Sequence, residues 1–178
     1  MVAVLVAGLA VAPAAADQND PRLDSLFGQL QAAPSPLQAS LVEAQIWSTW
    51  LQTESPTVNL LMRQGLEAMS LNRYQDSLDI LSNVVEIAPD YAEGWNKRAT
   101  VLFLMRRYRD SIVDVERTLA LEPRHFGALS GLGLIYNALG EEAKALDAFE
   151  RALAVNPNLR HAQAEVKRLK KKVRGEKI

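Results

Sequence analysis

The sequence predicts an all-α solenoid built from three stacked helix pairs. Three observations carry that prediction. First, Pro89, Pro123 and Pro157 stand 34 residues apart. A fixed period of that length marks stacked units rather than one globular core. Second, the neighbouring residues keep the same beat. Tyr74 pairs with Tyr108, and Asp76-Ser77 with Asp110-Ser111. Ile87-Ala88-Pro89-Asp90 pairs with Leu121-Glu122-Pro123-Arg124 and Val155-Asn156-Pro157-Asn158. Third, apolar positions recur at three and four residues, and no run alternates as a strand does. The 178 residues suffice for one domain. They are 48% hydrophobic but only 6% aromatic, rich in Ala and Leu, which favour helix.

Residues 1–16 read as a signal peptide. Val2 to Val11 is an apolar run, followed by Pro13 and Ala14-Ala15-Ala16. Ala14 and Ala16 satisfy the small-x-small rule for cleavage before Asp17. The run is too short for a typical spanning helix. One departure is that no Lys or Arg precedes it. Cleavage places the mature chain in an exported compartment, most simply a bacterial periplasm. If the leader is not a signal, the chain is cytoplasmic.

Residues 17–56 read as an N-terminal helical extension. Asp20-Pro21 supplies an N-cap and a proline suited to the first helical position. Leu23, Leu26, Phe27 and Leu30 follow as one apolar stripe. Ala33-Pro34-Ser35-Pro36 ends that helix and opens another, with Ser35 as cap. The second helix runs to about Gln52. Its apolar side is read as Leu37, Leu41, Ala44, Trp47 and Leu51, with Ile46 and Trp50 beside it. The expected role is a cap over the open end of the stack. The alternative is a helix that docks on a partner or fills the protein's own groove, covering Met62, Leu66 and Phe103.

Ser55-Pro56 opens the repeated region, whose units span 57–90, 91–124 and 125–158. Gly65, Ala99 and Gly133 are small, so the two helices of a unit can approach closely. Trp95, Tyr136 and Phe149 are large and fill the space between neighbours. Gly127 and Gly131 read as further close-packing residues. Each proline lies just past its second helix and stops it, because it lacks the N–H and clashes with the preceding turn. A single pair leaves an apolar face bare, so about three units are needed for a stable array. The second unit departs at Arg98, an otherwise apolar position, and at Thr118.

The pattern within one period resembles the tetratricopeptide repeat family. Leu129, Leu132-Gly133, Tyr136, Ala145, Phe149, Ala152 and Pro157 match it best. The second unit keeps Trp95, Ala99, Leu102, Ser111 and Pro123, and the first Leu61, Gly65, Ala68, Ser77, Leu81, Val84 and Pro89. The resemblance covers residues 57–158 and implies a right-handed solenoid whose first helices line a concave wall. That wall takes Asn59, Met62, Leu66 and Met69 from the first unit. The second supplies Glu93, Asn96, Lys97, Thr100, Phe103 and Leu104. The third supplies Gly127, Ser130, Gly131, Leu134 and Asn137. The closing helix adds His161, Ala164, Arg168 and Lys171. Such a wall runs from apolar to basic and suits an amphipathic helix or extended peptide. Family members that grip the C-terminal carboxylate of heat-shock chaperones use Lys, Asn and Arg. The corresponding positions here hold Met62, Leu66, Lys97, Gly127 and Gly131, so that clamp is absent.

Residues 159–178 read as a basic capping helix and tail. Leu159, Ala162, Val166, Leu169 and Val173 form the stripe that closes the array. From Arg160 to Ile178 there are eight Lys or Arg against two Glu, in a chain of net charge −1. The basic face is a solvated cap or, alternatively, a weak contact with phospholipid headgroups or an acidic protein. Nucleic acid is not expected, because no interleaved aromatics or binding motif accompany the charge. There are no cysteines, hence no disulfides, thiolate metal sites or cysteine nucleophile. The two histidines, His125 and His161, have no metal-like partner at i+4, and no phosphate loop is present. The expected function is a non-enzymatic scaffold, without cofactor or metal, that binds a peptide or helix of a partner protein. The alternative is a self-assembling homo-oligomer, joined by end-to-end stacking or N-terminal helix exchange.

The export reading predicts a mature chain that begins at Asp17. N-terminal sequencing of protein from its native source checks this, and an intact Met1 on cytosolic protein would overturn it.

Overall fold

The computed structural model describes residues 17–173. The leader over 1–16 and the tail over 174–178 lie outside the described residues. A short 3-10 turn at Asp17–Asn19 precedes nine α-helices. These are α1 (Arg22–Gln31), α2 (Pro36–Trp50), α3 (Pro56–Ser70), α4 (Tyr74–Ile87) and α5 (Ala92–Leu104). The rest are α6 (Tyr108–Leu121), α7 (Phe126–Ala138), α8 (Glu142–Val155) and α9 (Arg160–Val173). The pairs α3/α4, α5/α6 and α7/α8 stack in order, and α9 packs on α8.

Local chemistry sets most of the helix ends. Ser35 Oγ accepts from the Gln38 N–H, and Ser55 Oγ from the Val58 N–H. Pro36 and Pro56 occupy the first helical position after these caps. The Asp20 carboxylate accepts from the Arg22 N–H at 2.8 Å. The turn inside each pair uses one left-handed residue: Asn72, Arg106 and Gly140, again 34 apart. Only the third unit uses glycine there. Arg106 carries a side chain where it costs roughly 1–2 kcal/mol.

Close packing follows the repeat. A Cβ on Gly133 would lie 2.7–2.8 Å from the Phe149 ring, and one on Gly65 2.9 Å from Leu81. Ser77 Oγ donates to the Gly65 carbonyl, and Ser111 Oγ to the Ala99 carbonyl, each across its helix pair. Phe149 is fully buried, while Tyr136 and Trp95 are only partly so. Trp95 donates its indole N–H to the Pro89 carbonyl and lies under the Arg98 guanidinium. Arg98 makes two bonds of 2.7 Å to Asp114. In the third unit the equivalent residues are Leu132 and Ala148. The two positions differ as a pair, so the buried Asp114 carboxylate is not left without a counter-charge.

Two expectations for the N-terminal helices are corrected. The buried face of α2 is Ala39, Val42, Ile46, Thr49 and Trp50. Leu37 is 73% and Leu41 60% exposed, and Ala44 and Leu51 are exposed too. The helix is apolar on more than one side, so its period does not select a face. The side carrying Trp50 wins because that ring has surface to bury against Phe27 and Phe126. Nor do α1 and α2 cap the first unit. They form a hairpin along the turns that join successive units. Gln18 donates to the Asp90 carbonyl at 2.6 Å. Asp24 pairs with Arg124 at 2.6 Å, and the Leu30 carbonyl accepts from Asn158. The N-terminal segment therefore touches the turns that follow all three units, the first through Gln18 of the 3-10 turn and the other two through α1, and α2 returns beside it.

The open end of the array is left uncovered and mixed, with Leu60 46% and Leu71 58% exposed beside polar residues. Thr57 and Glu67 are exposed where the second unit buries Tyr91 and Val101. The first unit is its own solvated cap, as terminal repeats require. At the other end Ala162 and Leu169 of α9 are buried against Ala145 and Phe149. Its basic face is partly neutralised by its neighbours. Lys170 pairs with Glu150, Lys172 with Glu142, and Arg168 with Glu165.

Two glycines two residues apart in α7 should respond oppositely. Gly133→Leu is expected to cost about 1–3 kcal/mol or more, because the Phe149 ring fills that space. Gly131→Ala should stabilise by about 0.5–1 kcal/mol, because a Cβ there meets nothing within 4 Å. Urea unfolding midpoints measure both.

Candidate functional site: a half-closed concave groove

The first helices of the units, α3, α5 and α7, stand side by side along one wall. The wall divides into a closed half and an open half. The closed half lies at the N-terminal ends of α5 and α7, under α2. Trp47 rests on Gly127, where a Cβ would come within 2.5 Å of the indole. Trp50 stacks on His125 at 4.1 Å between ring centres and 10° between planes. Phe126 meets both tryptophans at 5.2–5.3 Å.

Beneath the two indoles lies a polar triad. Glu93 is 1% exposed, and its Oε1 is 2.7 Å from Lys97 Nζ. Its Oε2 accepts from Asn96 Nδ2 at 2.8 Å. It also faces His125 Nε2 at 2.8 Å. His125 Nδ1 accepts the Ala128 N–H at 3.0 Å and so caps α7. A ring nitrogen that accepts carries no proton, so the ring proton sits on Nε2 and is donated to Glu93. Burial alone pushes the Glu93 carboxyl up. Lys97 and the His125 bond outweigh it and hold the group down at about 2. The Lys97 ammonium also lies 4.9 Å from the centre of the Trp47 ring. At the hairpin's edge Arg124 bonds Asp24 and Glu122 and covers the Phe27 ring.

The open half lies further along α5 and α7. It is a depression of about 210 Å³. Asn96, Ala99, Thr100 and Phe103 line it from α5, and Ser111 and Val115 from α6. Gly127, Ser130, Gly131, Leu134 and Ile135 line it from α7. None of the described residues lining it is charged. Gly131 leaves a notch in its wall, which corrects its reading as a close-packing residue.

The residues expected on the wall divide accordingly. Thr100, Phe103, Ser130 and Leu134 meet around the depression. Lys97 and Glu93 belong to the closed triad, while Asn96, which bonds Glu93, and Gly127, which lies under Trp47, stand at the boundary and also line the depression. Met62 is a correction: it is 2% exposed and packed with Val58, Leu78 and Leu81, as the stacking of α4 and α5 on α3 requires. Asn59 bonds Thr53 at the turn between α2 and α3. Leu66 and Met69 are half-buried on α3, and Leu104 is exposed at the end of α5. Asn137 accepts from Arg168, so these two are engaged with each other. Lys171, His161 and Ala164 are exposed on α9. The helix that covers the groove does not cover Met62, Leu66 or Phe103. It covers Lys97 and Gly127. The Trp47–Gly127 contact was missed because Gly127 reads like any glycine of the repeat. The better signal was the inter-unit position itself, which holds Tyr91, then His125, then Leu159.

Comparison with known proteins places this geometry. A family profile described as tetratricopeptide repeat matches residues 127–159. A TPR repeat-containing protein of Rhizobium etli is 43% identical over 154 residues, covering 86% of this chain and 76% of that protein. A wheat (Triticum aestivum) Hsp70-Hsp90 organizing protein is 30% identical over 95 residues, covering 53% of this chain and 16% of that protein. The first TPR of Spaghetti (RPAP3), solved bound to the HSP90 peptide SRMEEVD, superposes with a TM-score of 0.65 at 21% identity. It covers 67% of this chain and 95% of that one. MamA superposes with a TM-score of 0.63 at 19% identity, covering 84% of each chain. At those identities the two structures share the fold alone.

The triad makes a signed pH prediction. The folded pKa of Glu93 lies below its ordinary 4.5, so its ionised form stabilises the fold. That contribution is fully present above the ordinary value and is lost as pH falls toward 2. Glu93→Gln should cost on the order of 3 kcal/mol near neutral pH, because it leaves Lys97 unpaired beneath Trp47. It should also flatten the loss of stability on acidification. Urea midpoints for both proteins across the acid range measure this.

Proposed function

The chain belongs to the tetratricopeptide repeat family, and from that premise we propose that it is a non-enzymatic protein-interaction scaffold. It holds a peptide or helix of a partner protein in the open half of its concave groove. The observation that carries this reading is the depression between α5 and α7. Phe103 and Leu134 line it and are half-buried, each packed on the core on one side and exposed to the depression on the other. Apolar surface left concave and open is the usual mark of a binding site. The HSP90-peptide complex of the RPAP3 repeat supports a peptide as the class of ligand. The apolar leader with its Ala14-Ala15-Ala16 end supports a periplasmic setting.

A second reading, self-assembly, has one observation in its favour. Leu37 and Leu41 lie exposed one turn apart on the outer side of α2. Measuring particle size across concentration separates the two readings.

The groove is tested by Phe103→Ala. Capture from periplasmic extract, read by mass spectrometry, first supplies the partner. Phe103→Ala should then weaken titrated binding at every salt concentration, since it removes apolar burial of about 25 cal/mol per Å². Helical circular dichroism should be unchanged. A variant that binds like wild type would move the site off this wall.

A further inference from the structure

We infer that the groove reads an internal segment of its partner, through one bulky apolar side chain, and needs no free C-terminal carboxylate. This rests on the groove reading above and adds the chemistry of the ligand.

The first argument is electrostatic. A carboxylate that leaves water must find a free cation or unspent donors. Among the described residues no cation lines the depression, and two on the same wall, Lys97 and Arg168, are already committed. Lys97 is held 2.7 Å from Glu93 and lies against Trp47. Arg168 is held 2.7 Å from Glu165 and donates to Asn137. Two of the three hydroxyls inside are spent as well. Thr100 donates to the Asn96 carbonyl, and Ser111 to the Ala99 carbonyl. A chain end carrying charge therefore finds only neutral donors, Ser130 and Asn96, and no charged group among the described lining residues, whereas a neutral segment gives up far less on leaving water.

The second argument is shape. The floor is Ala99, Val115 and Ile135, all buried and apolar. The lips are Phe103 and Leu134, and Gly131 opens the notch between them. A depression of about 210 Å³ takes one large side chain rather than a whole helix. α2 closes the neighbouring half of the wall, so the ligand cannot extend over Lys97 and Gly127. Leucine, methionine or phenylalanine in the middle of a segment meets all of these conditions.

The test uses the full chain and a phage library of short random peptides fused through their C-termini, so that no displayed peptide has a free carboxylate. An enriched peptide is then synthesised both as the amide and as the free acid, and titrated by fluorescence anisotropy. The two forms should bind within about twofold of each other. Replacing the one bulky apolar residue by alanine should cost at least about tenfold. Gly131→Leu, whose Cβ meets nothing within 4 Å and whose longer chain enters the notch, should cost as much while keeping the helical signal and thermal midpoint. If the free acid binds about tenfold more tightly while Gly131→Leu still blocks it, the inference fails and the groove reading survives. If no peptide is enriched, the inference fails; if an enriched peptide binds Gly131→Leu like wild type, both fail. Concentration-dependent growth in size that Gly131→Leu abolishes would make a second copy the occupant and overturn the inference.

Discussion

A pair of helices cannot bury its own apolar face, and the rest of this structure depends on how that face is covered. Inside the array each pair covers the next: Tyr91 and Val101 of the second unit close over Val58, Met62 and Leu81 of the first. At the ends the solutions differ. The first unit places Thr57 and Glu67 where its successors carry buried residues. The last is covered by Ala162 and Leu169 of α9. Terminal units that face water on one side must make one of these substitutions, because stacking energy comes from neighbours alone.

The N-terminal hairpin solves a different problem. Together with the 3-10 turn ahead of it, it bonds the turns that follow each of the three units, so it joins units that otherwise meet only their neighbours. Its two tryptophans cover an ammonium and an imidazole that meet at one buried carboxylate. Buried polar groups of this kind are costly unless every member is satisfied. Here the Glu93 oxygens face Lys97, Asn96 and His125, and the remaining His125 nitrogen caps α7. The same hairpin divides the concave wall. The half that carries the cation Lys97 is sealed, and the uncharged half is open. Half of the wall is thus structural in this chain, and what remains for a ligand is apolar.

Several departures from the repeat make sense only in pairs. Arg98 in an apolar position is accompanied by Asp114 in a small one. Ser77 and Ser111 find a carbonyl across the pair, and the third unit places Ala145 at that point. The left-handed residue of each intra-pair turn is Asn, Arg and Gly in turn. The backbone conformation is kept while the side chain varies, since the helix must end there whatever residue stands at the turn.

The period, the helix pairs, the serine caps and the small-against-large contacts were legible in the sequence. They rest on forces that act within one unit or between neighbours, and the repeat announces them three times. The closing stripe of α9 was legible for the same reason. The face that α2 buries was decided only by tertiary structure, because that helix is apolar on several sides and no repeat marks it. So was the path of the hairpin, whose Glu43 meets Asn156 across 113 residues. Glu93 and His125, 32 residues apart, looked like a wall carboxylate and a stray histidine. What made them one buried unit was the pair of indoles laid over them from outside the array. Thr100, Phe103, Ser130 and Leu134 could be placed from the repeat phase alone. That they line an open depression while Lys97 does not follows from where α2 lies.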